Sequence, residues 1–194
     1  RHSESSVMEK MIKIGVIGTH GTRKTSLCYD FAGRLKSVGI GAGFMEEVAR
    51  RLPRFPGFNI NEGTTRESQL WIIQTQIKEE LEYLAREDVN PLFTDRAVID
   101  NYMYYFHRFG KDNPALDEYV DWWTKTYDLL VKMPILENRS LNVDPVRAER
   151  AEFKVAIDRL LEKELERRGI PFHVYTTTEV VIEKVMLLME KKIK

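Results

Sequence analysis

Residues 18–25 read GTHGTRKT, and an apolar run at 12–17 leads directly into them. A strand, a glycine-bearing turn and a helix start, in that order, make a loop whose backbone N–H groups can wrap a polyphosphate. Gly18, Lys24 and Thr25 fit the spacing G-x-x-x-x-G-K-[ST], with Gly21 as an additional flexible position inside it. Glycines let the backbone approach closely, the helix N-terminus adds unpaired amides and the positive end of its dipole, Lys24 adds a point charge, and the Thr25 hydroxyl suits Mg²⁺. The segment Gly18, Thr19, His20, Gly21, Thr22, Arg23, Lys24, Thr25 and Ser26 is therefore expected to hold phosphates. Arg23 stands where the pattern has its second glycine; if the backbone there needs φ > 0, an arginine is strained. Its side chain either neutralises phosphate or projects to solvent. The competing explanation is a tight strand-to-helix turn with a chance Lys-Thr.

The elements that would position this loop alternate along the chain. Helical spacing predicts a helix over about 24–38, stopped near Gly39, and a short second strand over 40–45 that ends in Glu46-Glu47. Pro53, Pro56, Gly57 and Gly63 mark an irregular loop, and Thr64-Thr65-Arg66-Glu67 resembles a capping box. A long helix follows with Leu70, Ile73, Ile77, Leu81 and Leu84 on one face, ending before Asn90-Pro91. Residues 91–95 read as a third strand ending in Asp95, then a helix over 98–109, broken by Gly110 and Pro114. Further elements are a helix over 117–126, a strand over 127–133, a polar irregular stretch to 144, a helix over 147–168, a strand over 171–175 and a helix over 178–193. Strands separated by helices argue for an α/β fold with a parallel sheet covered on both faces, and ligands bind such sheets beyond the strands' carboxyl ends. The loop, Glu46-Glu47, Asp95-Arg96 and Thr176-Thr177 all follow strand ends, so one crevice is expected to gather them.

Composition narrows the partners. The 194 residues suit one domain, expected over 11–194, and 30 Lys plus Arg balance 30 Asp plus Glu. Nothing global favours nucleic acid or an anionic membrane. Cys28 is the single cysteine and no apolar run reaches membrane-spanning length, which points to a cytoplasmic protein. Residues 1–10 lack a signal-like apolar stretch and read as a leader, disordered or left from expression, outside the fold. A homo-oligomer is compatible with the sequence.

GTHGTRKT, EEVAR at 46–50, TDRAVID at 94–100 and DPVR at 144–147 together resemble the P-loop nucleoside and nucleotide kinases, particularly those similar to ribosylnicotinamide kinase and often labelled AAA-domain ATPases, over roughly 12–180. The resemblance implies a three-layer α/β/α P-loop NTPase fold with a five-stranded parallel sheet and a helical lid near 134–150. It also implies ATP and Mg²⁺ as cofactors and a small nucleoside-like acceptor. Lys24 would contact the β- and γ-phosphates, and Thr25 with Asp95 would hold the metal, although Asp95 also suits a helix N-cap. The family's E-x-A-R pattern falls on Glu47 and Arg50. Glu47 would take the acceptor hydroxyl's proton and Arg50 would hold the acceptor or a phosphate, against an ordinary first-turn acid. The D-R-x-x-x-D pattern falls on Arg96 and Asp100 as an acceptor-orienting pair, or else a helical ion pair. Gln74, close to the apolar stripe, and Gln76, at the family position but turned away from that stripe, are candidates for a substrate base. Arg147, more than Arg150, would close from the lid onto transition-state charge. Phosphoryl transfer from ATP is the function this implies; a nucleotide-binding switch or slow ATPase acting through a protein partner is the alternative, and a catalytically dead binding module is a third.

Overall fold

The structure, a computed structural model, describes residues 11–54, 56–135 and 145–193. The five strands are β1 (Lys13–Ile17), β2 (Gly43–Met45), β3 (Leu92–Asp95), β4 (Leu129–Lys132) and β5 (His173–Val174). They form one parallel sheet in the order β2-β3-β1-β4-β5. Among the described residues six α-helices cover it: α1 (Lys24–Ser37), α2 (Arg66–Leu84), α3 (Val98–Phe109), α4 (Pro114–Thr124), α5 (Pro145–Arg167) and α6 (Thr178–Ile193). The leader at 1–10 and lid residues 136–144 lie outside the described residues, as do the side chains of 145–150.

Strand alternation sorts β1 between two cores. Ile14 and Val16 join Phe31 and Leu35 of α1 and Val181 and Val185 of α6 on one face, while Ile17 joins the α2–α5 side. Each large apolar side chain fully withdrawn from water is worth about 1.5–3 kcal/mol, so both faces hold the strand in register. Gly15 lets α3 and β4 close on the sheet. A Cβ there would stand 2.8 Å from a Leu130 methyl and 3.1 Å from Ala97 Cβ. Helix α1 stops with Gly39 at φ 83 and Ile40 N donating to Leu35 O at 3.0 Å, which satisfies one of the last carbonyls.

Several sequence expectations are corrected. The box that starts α2 pairs Thr65 with Ser68, not Glu67; Gly110 closes α3 as expected, and α4 begins at Pro114 behind an Asn113 cap, not at residue 117. On α2, Leu81 of the expected apolar stripe is 46% exposed, whereas Gln69, Gln76 and Glu80 are buried with Ile72, Ile73 and Ile77. The reason is a polar network within the core. Lys13 Nζ donates to Glu80 Oε2 at 2.6 Å and lies over the rings of Trp123 and Tyr127; Trp123 Nε1 also donates to Glu80 Oε2, at 2.7 Å. Tyr127 donates to Glu80, as does Gln76 Nε2 at 3.0 Å.

Lys13 and Glu80 thus sit in the interior because each completes the other. Removing one partner of a buried pair leaves an uncompensated charge, at a cost of about 3–5 kcal/mol. Glu80→Gln is therefore expected to lower unfolding free energy in urea by about that amount, whereas Lys78→Gln, which breaks the exposed pair with Glu82, should change it by less than about 0.5 kcal/mol. Equal melting of the two variants would refute the role given to Glu80.

Candidate functional site

The sheet order places β2, β3 and β1 side by side, so the segments after their carboxyl ends meet. Gly18 begins the loop at φ 134 and Gly21 continues it at φ 76. Lys24, buried in the first turn of α1, donates from Nζ to Thr19 O at 2.7 Å, and Thr22 Oγ1 donates to the same carbonyl at 2.9 Å. Burial first, then the Arg96 charge, pulls the Lys24 ammonium down to about 8. Burial, Lys154 and Arg96 bring His20 down to about 4, so its imidazole is neutral at physiological pH. Ser26 is exposed on α1. Arg23 occupies the left-handed region at φ 64, ψ 20, caps α1 without a side-chain hydrogen bond and is exposed. The backbone there does need a positive φ.

The remaining groups converge on Thr25. Its hydroxyl donates to Asp95 Oδ2 and accepts from Arg50 Nη2 at 3.0 Å. Asp95 is 2% exposed and its Oδ1 is buried without a hydrogen-bond partner. Burial raises its carboxyl above the ordinary range, opposed by the Thr25 hydrogen bond. A hydroxyl beside an unsatisfied carboxylate oxygen fits Mg²⁺, which takes one or two protein ligands and completes its shell with phosphates and water. No group of three His, Cys, Asp or Glu able to hold a metal occurs among the described residues. As for the alternative role of Asp95, α3 is capped by Ala97 without a side-chain bond.

Arg96 is the centre of the charged cluster beside the loop. It is 4% exposed, stands at φ 87, donates to Glu47, lies 3.4 Å from Asp100 Oδ1 and 3.5 Å from the Tyr104 hydroxyl. Burial would discharge it, but Tyr104, Asp100 and Glu47 hold its proton more tightly than usual. Burial likewise pushes Glu47 up, and the Arg96 guanidinium overcomes this, with Arg50 and Lys24 adding to it, to hold the carboxyl at about 2. Arg50 Nε donates to Glu47 at 3.0 Å from a 3₁₀ turn, Val48–Arg51, in place of the expected helical turn. A cleft of about 150 Å³ opens here, its wall including His20, Glu47, Arg50, Gln69, Asn101 and Tyr104.

The expected residues distribute unevenly. Glu47, Arg50 and Arg96 line the cleft, but Asp100 is wholly buried and accepts from Gly18 N at 3.3 Å, fastening the loop to α3 rather than meeting an acceptor. Burial lifts its carboxyl to about 6. Gln74 is exposed, away from the cleft. Gln76 is 1% exposed, contrary to its expected outward direction, and its Nε2 holds Arg96 O at 2.8 Å. Glu46 turns to Tyr29 on the surface. Thr176 and Thr177 follow the outermost strand and do not join the cleft; Thr177 Oγ1 accepts from Val180 N at the start of α6. Arg147 falls on α5 with its side chain outside the described ones.

Sequence reasoning missed Lys154, Gln69 and Asn101. Lys154 Nζ lies 3.1 Å from the position a Cβ would take on Gly21, so α5 already reaches the phosphate loop, and Phe153 beside it packs against His20 and Tyr104. Lys154 follows Arg147 by two helical turns, a spacing that shares a face and was readable. Gln69 and Asn101 carry no local signal: Gln69 is held by Thr64 one helical turn away and Asn101 by Gln76, 25 residues away.

A sequence-family model for an AAA domain matches residues 13–181. No curated protein matches the chain. Among solved structures, a NadR protein in complex with NR is similar, with a TM-score of 0.71 and 19% identity over 94% of this chain and 52% of that one. The chain thus spans about half the length of the NadR chain. Thymidylate kinase from Ehrlichia chaffeensis has a TM-score of 0.64 and 16% identity, over 91% of this chain and 98% of the other. Thymidylate kinase from Candida albicans follows at 0.55 and 12%, over 94% and 92%. At these identities the likeness establishes the fold, that of the P-loop kinases.

A non-glycine residue in the left-handed region costs about 1 kcal/mol, a strain that Ala shares and Gly avoids. Arg23→Gly is expected to unfold in urea about 1 kcal/mol later than Arg23→Ala. An alanine variant at least as stable as the glycine one would mean that the turn holds no such strain.

Proposed function

The chain belongs to the AAA-domain family, and from that premise we propose that it is a Mg²⁺-ATP-dependent kinase acting on a small nucleoside-like or nucleotide-like acceptor. One observation carries this proposal. Arg50 hydrogen-bonds Thr25 through Nη2 and Glu47 through Nε, so the phosphate loop and the acceptor-side carboxylate belong to one cluster. A nucleotide switch needs the first and has no use for the second.

Phosphoryl transfer asks a protein for alignment and charge neutralisation rather than covalent chemistry. The loop amides and Lys24 would hold the β- and γ-phosphates, and Thr25 with Asp95 would hold Mg²⁺, which supplies positive charge next to the transferred group. Glu47, held near 2 by Arg96, stays ionised and is a weak base. It would orient the attacking hydroxyl and receive its proton late, as suits a loose transition state. Arg147, with Lys154, would bring cations from α5 over the phosphates. A single domain over 11–194 with its lid near 134–150 and a cytoplasmic location are part of the same proposal, which is compatible with a homo-oligomer. No helix among the described residues is long and apolar enough to cross a membrane.

A transfer screen over nucleosides, nucleoside monophosphates and ribosylnicotinamide, with acceptor-free hydrolysis as control, tests the activity. If no acceptor accelerates ATP consumption, the kinase assignment falls. In the screen's best acceptor, Glu47→Gln should lose about 10²-fold or more in rate with ATP affinity nearly unchanged. Because the carboxyl titrates near 2, the ratio of parent to variant should stay flat from about pH 5 to 8; a ratio that falls steeply with acid across that window would contradict the assigned ionisation. Lys24 gives a second check. Its ammonium is depressed to about 8, and a bound polyphosphate favours the charged form, so ATP binding above about pH 8 should take up a proton. Calorimetry in buffers of different ionisation enthalpy reads this uptake, which should shrink below about pH 7 and vanish in Lys24→Met.

A further inference from the structure

The amide side chains of Gln69 and Asn101 stand at the wall of the cleft, and counting hydroxyl protons fixes which atom each leaves for a ligand. The Thr65 hydroxyl makes its shorter contact to Gly57 O, 2.7 Å, and the Ser68 hydroxyl donates to Thr65 O at 2.9 Å. Thr64 Oγ1 lies 3.2 Å from Ser68 Oγ; with the Ser68 proton already committed, Thr64 is the donor in that contact. The 2.7 Å bond between Gln69 and Thr64 Oγ1 must then be donated by Gln69 Nε2. Its Oε1 is the atom left over. Gln69 is 3% exposed, and this oxygen is buried with no donor on it.

The same count applies across the cleft. Gln76 Nε2 faces Arg96 O, which only accepts, so Gln76 Oε1 receives Asn101 Nδ2 and the Asn101 oxygen is the atom this network does not engage. Both amides therefore offer acceptors. Ile72 and Tyr104 of the same wall supply apolar surface for a flat ring.

A buried acceptor without a donor is costly, and a ligand N–H that reaches it recovers that cost, whereas a ligand carbonyl adds a second unsatisfied acceptor. We propose that this cleft selects an acceptor whose ring carries an exocyclic amine or carboxamide NH₂ directed at Gln69 Oε1, and discriminates against its oxo analogue. This rests on the kinase assignment above for the identity of the cleft as the acceptor site, and it names the class of ring the site takes.

Calorimetric titration of the full chain with matched pairs tests it: cytidine against uridine and adenosine against inosine, each also as its 5′-monophosphate. The amino member of a pair is expected to bind about ten-fold more tightly or better, and Gln69→Leu should reduce the ratio to about two-fold or less. Gln69→Glu keeps size and acceptor and should retain the amino preference, which covers the case of a leucine variant that does not fold. Equal affinities within every pair, a preference that survives in folded Gln69→Leu, or no binding by any of the compounds would overturn the proposal. ATP titrated into the same preparations reports on the phosphate loop separately, so a failed ring preference with intact ATP binding removes this inference alone.

Discussion

Arg96 is the residue around which the site and much of its surroundings are arranged. A guanidinium that is 4% exposed, on a backbone at φ 87, carries both a desolvation cost and a conformational one, of about 1–3 kcal/mol for the backbone alone. Compensation arrives from every side. Glu47 and Asp100 bring opposite charge, Tyr104 contributes its hydroxyl and ring face, and Val16 and Gln76 fasten the peptide groups before and after the side chain. Because these partners come from β1, α2, α3 and the turn after β2, satisfying one cation fixes the relative positions of the elements that bound the cleft.

That constraint extends into the phosphate loop. Asp100, one turn along α3 from Arg96, also accepts from Gly18 N, so the residue that neutralises the buried guanidinium also anchors the start of the loop. Thr25 and Arg50 close the circuit from the other end. The phosphate loop and the cluster around Arg96 are therefore coupled through hydrogen bonds that each include an ionised group, the stronger kind, rather than through a flexible connection. The αL strain at Arg23 lies outside this circuit, in an exposed turn, where it burdens stability without disturbing the cluster.

The sheet itself depends on a second polar centre. Lys13, Glu80, Gln76, Tyr127 and Trp123 lie beneath the cleft, and Gln76 belongs both to this network and to the support of Arg96. A core that buries this many polar groups is stable only while each is satisfied. On the other flank, Lys132 at the end of β4 holds Asp158 and Glu162 of α5, both at 2.8 Å, which seats that helix where Phe153 and Lys154 reach the loop.

Sequence alone sufficed for the alternation of strands and helices, the parallel sheet and the phosphate loop, because apolar periodicity and the Gly18–Thr25 spacing are local properties of consecutive residues. It also placed Glu47 and Asp95-Arg96 at strand ends. Tertiary structure decided the rest. Strand order put β5 at the edge opposite β2, with β4 between it and β1, and so excluded Thr176-Thr177 from the crevice beyond β2, β3 and β1, and order is a matter of which strands pair, not of what each strand contains. The inward face of α2 was misread because burial was inferred from apolarity. Gln76 and Glu80 are inside, since Arg96, Asn101, Tyr127 and Lys13 satisfy them, and Gln69 is inside with its Nε2 on Thr64, while Leu81 is 46% exposed. Most of these partners lie 20 or more residues away along the chain, and a buried polar group is stable only where its partner meets it in space.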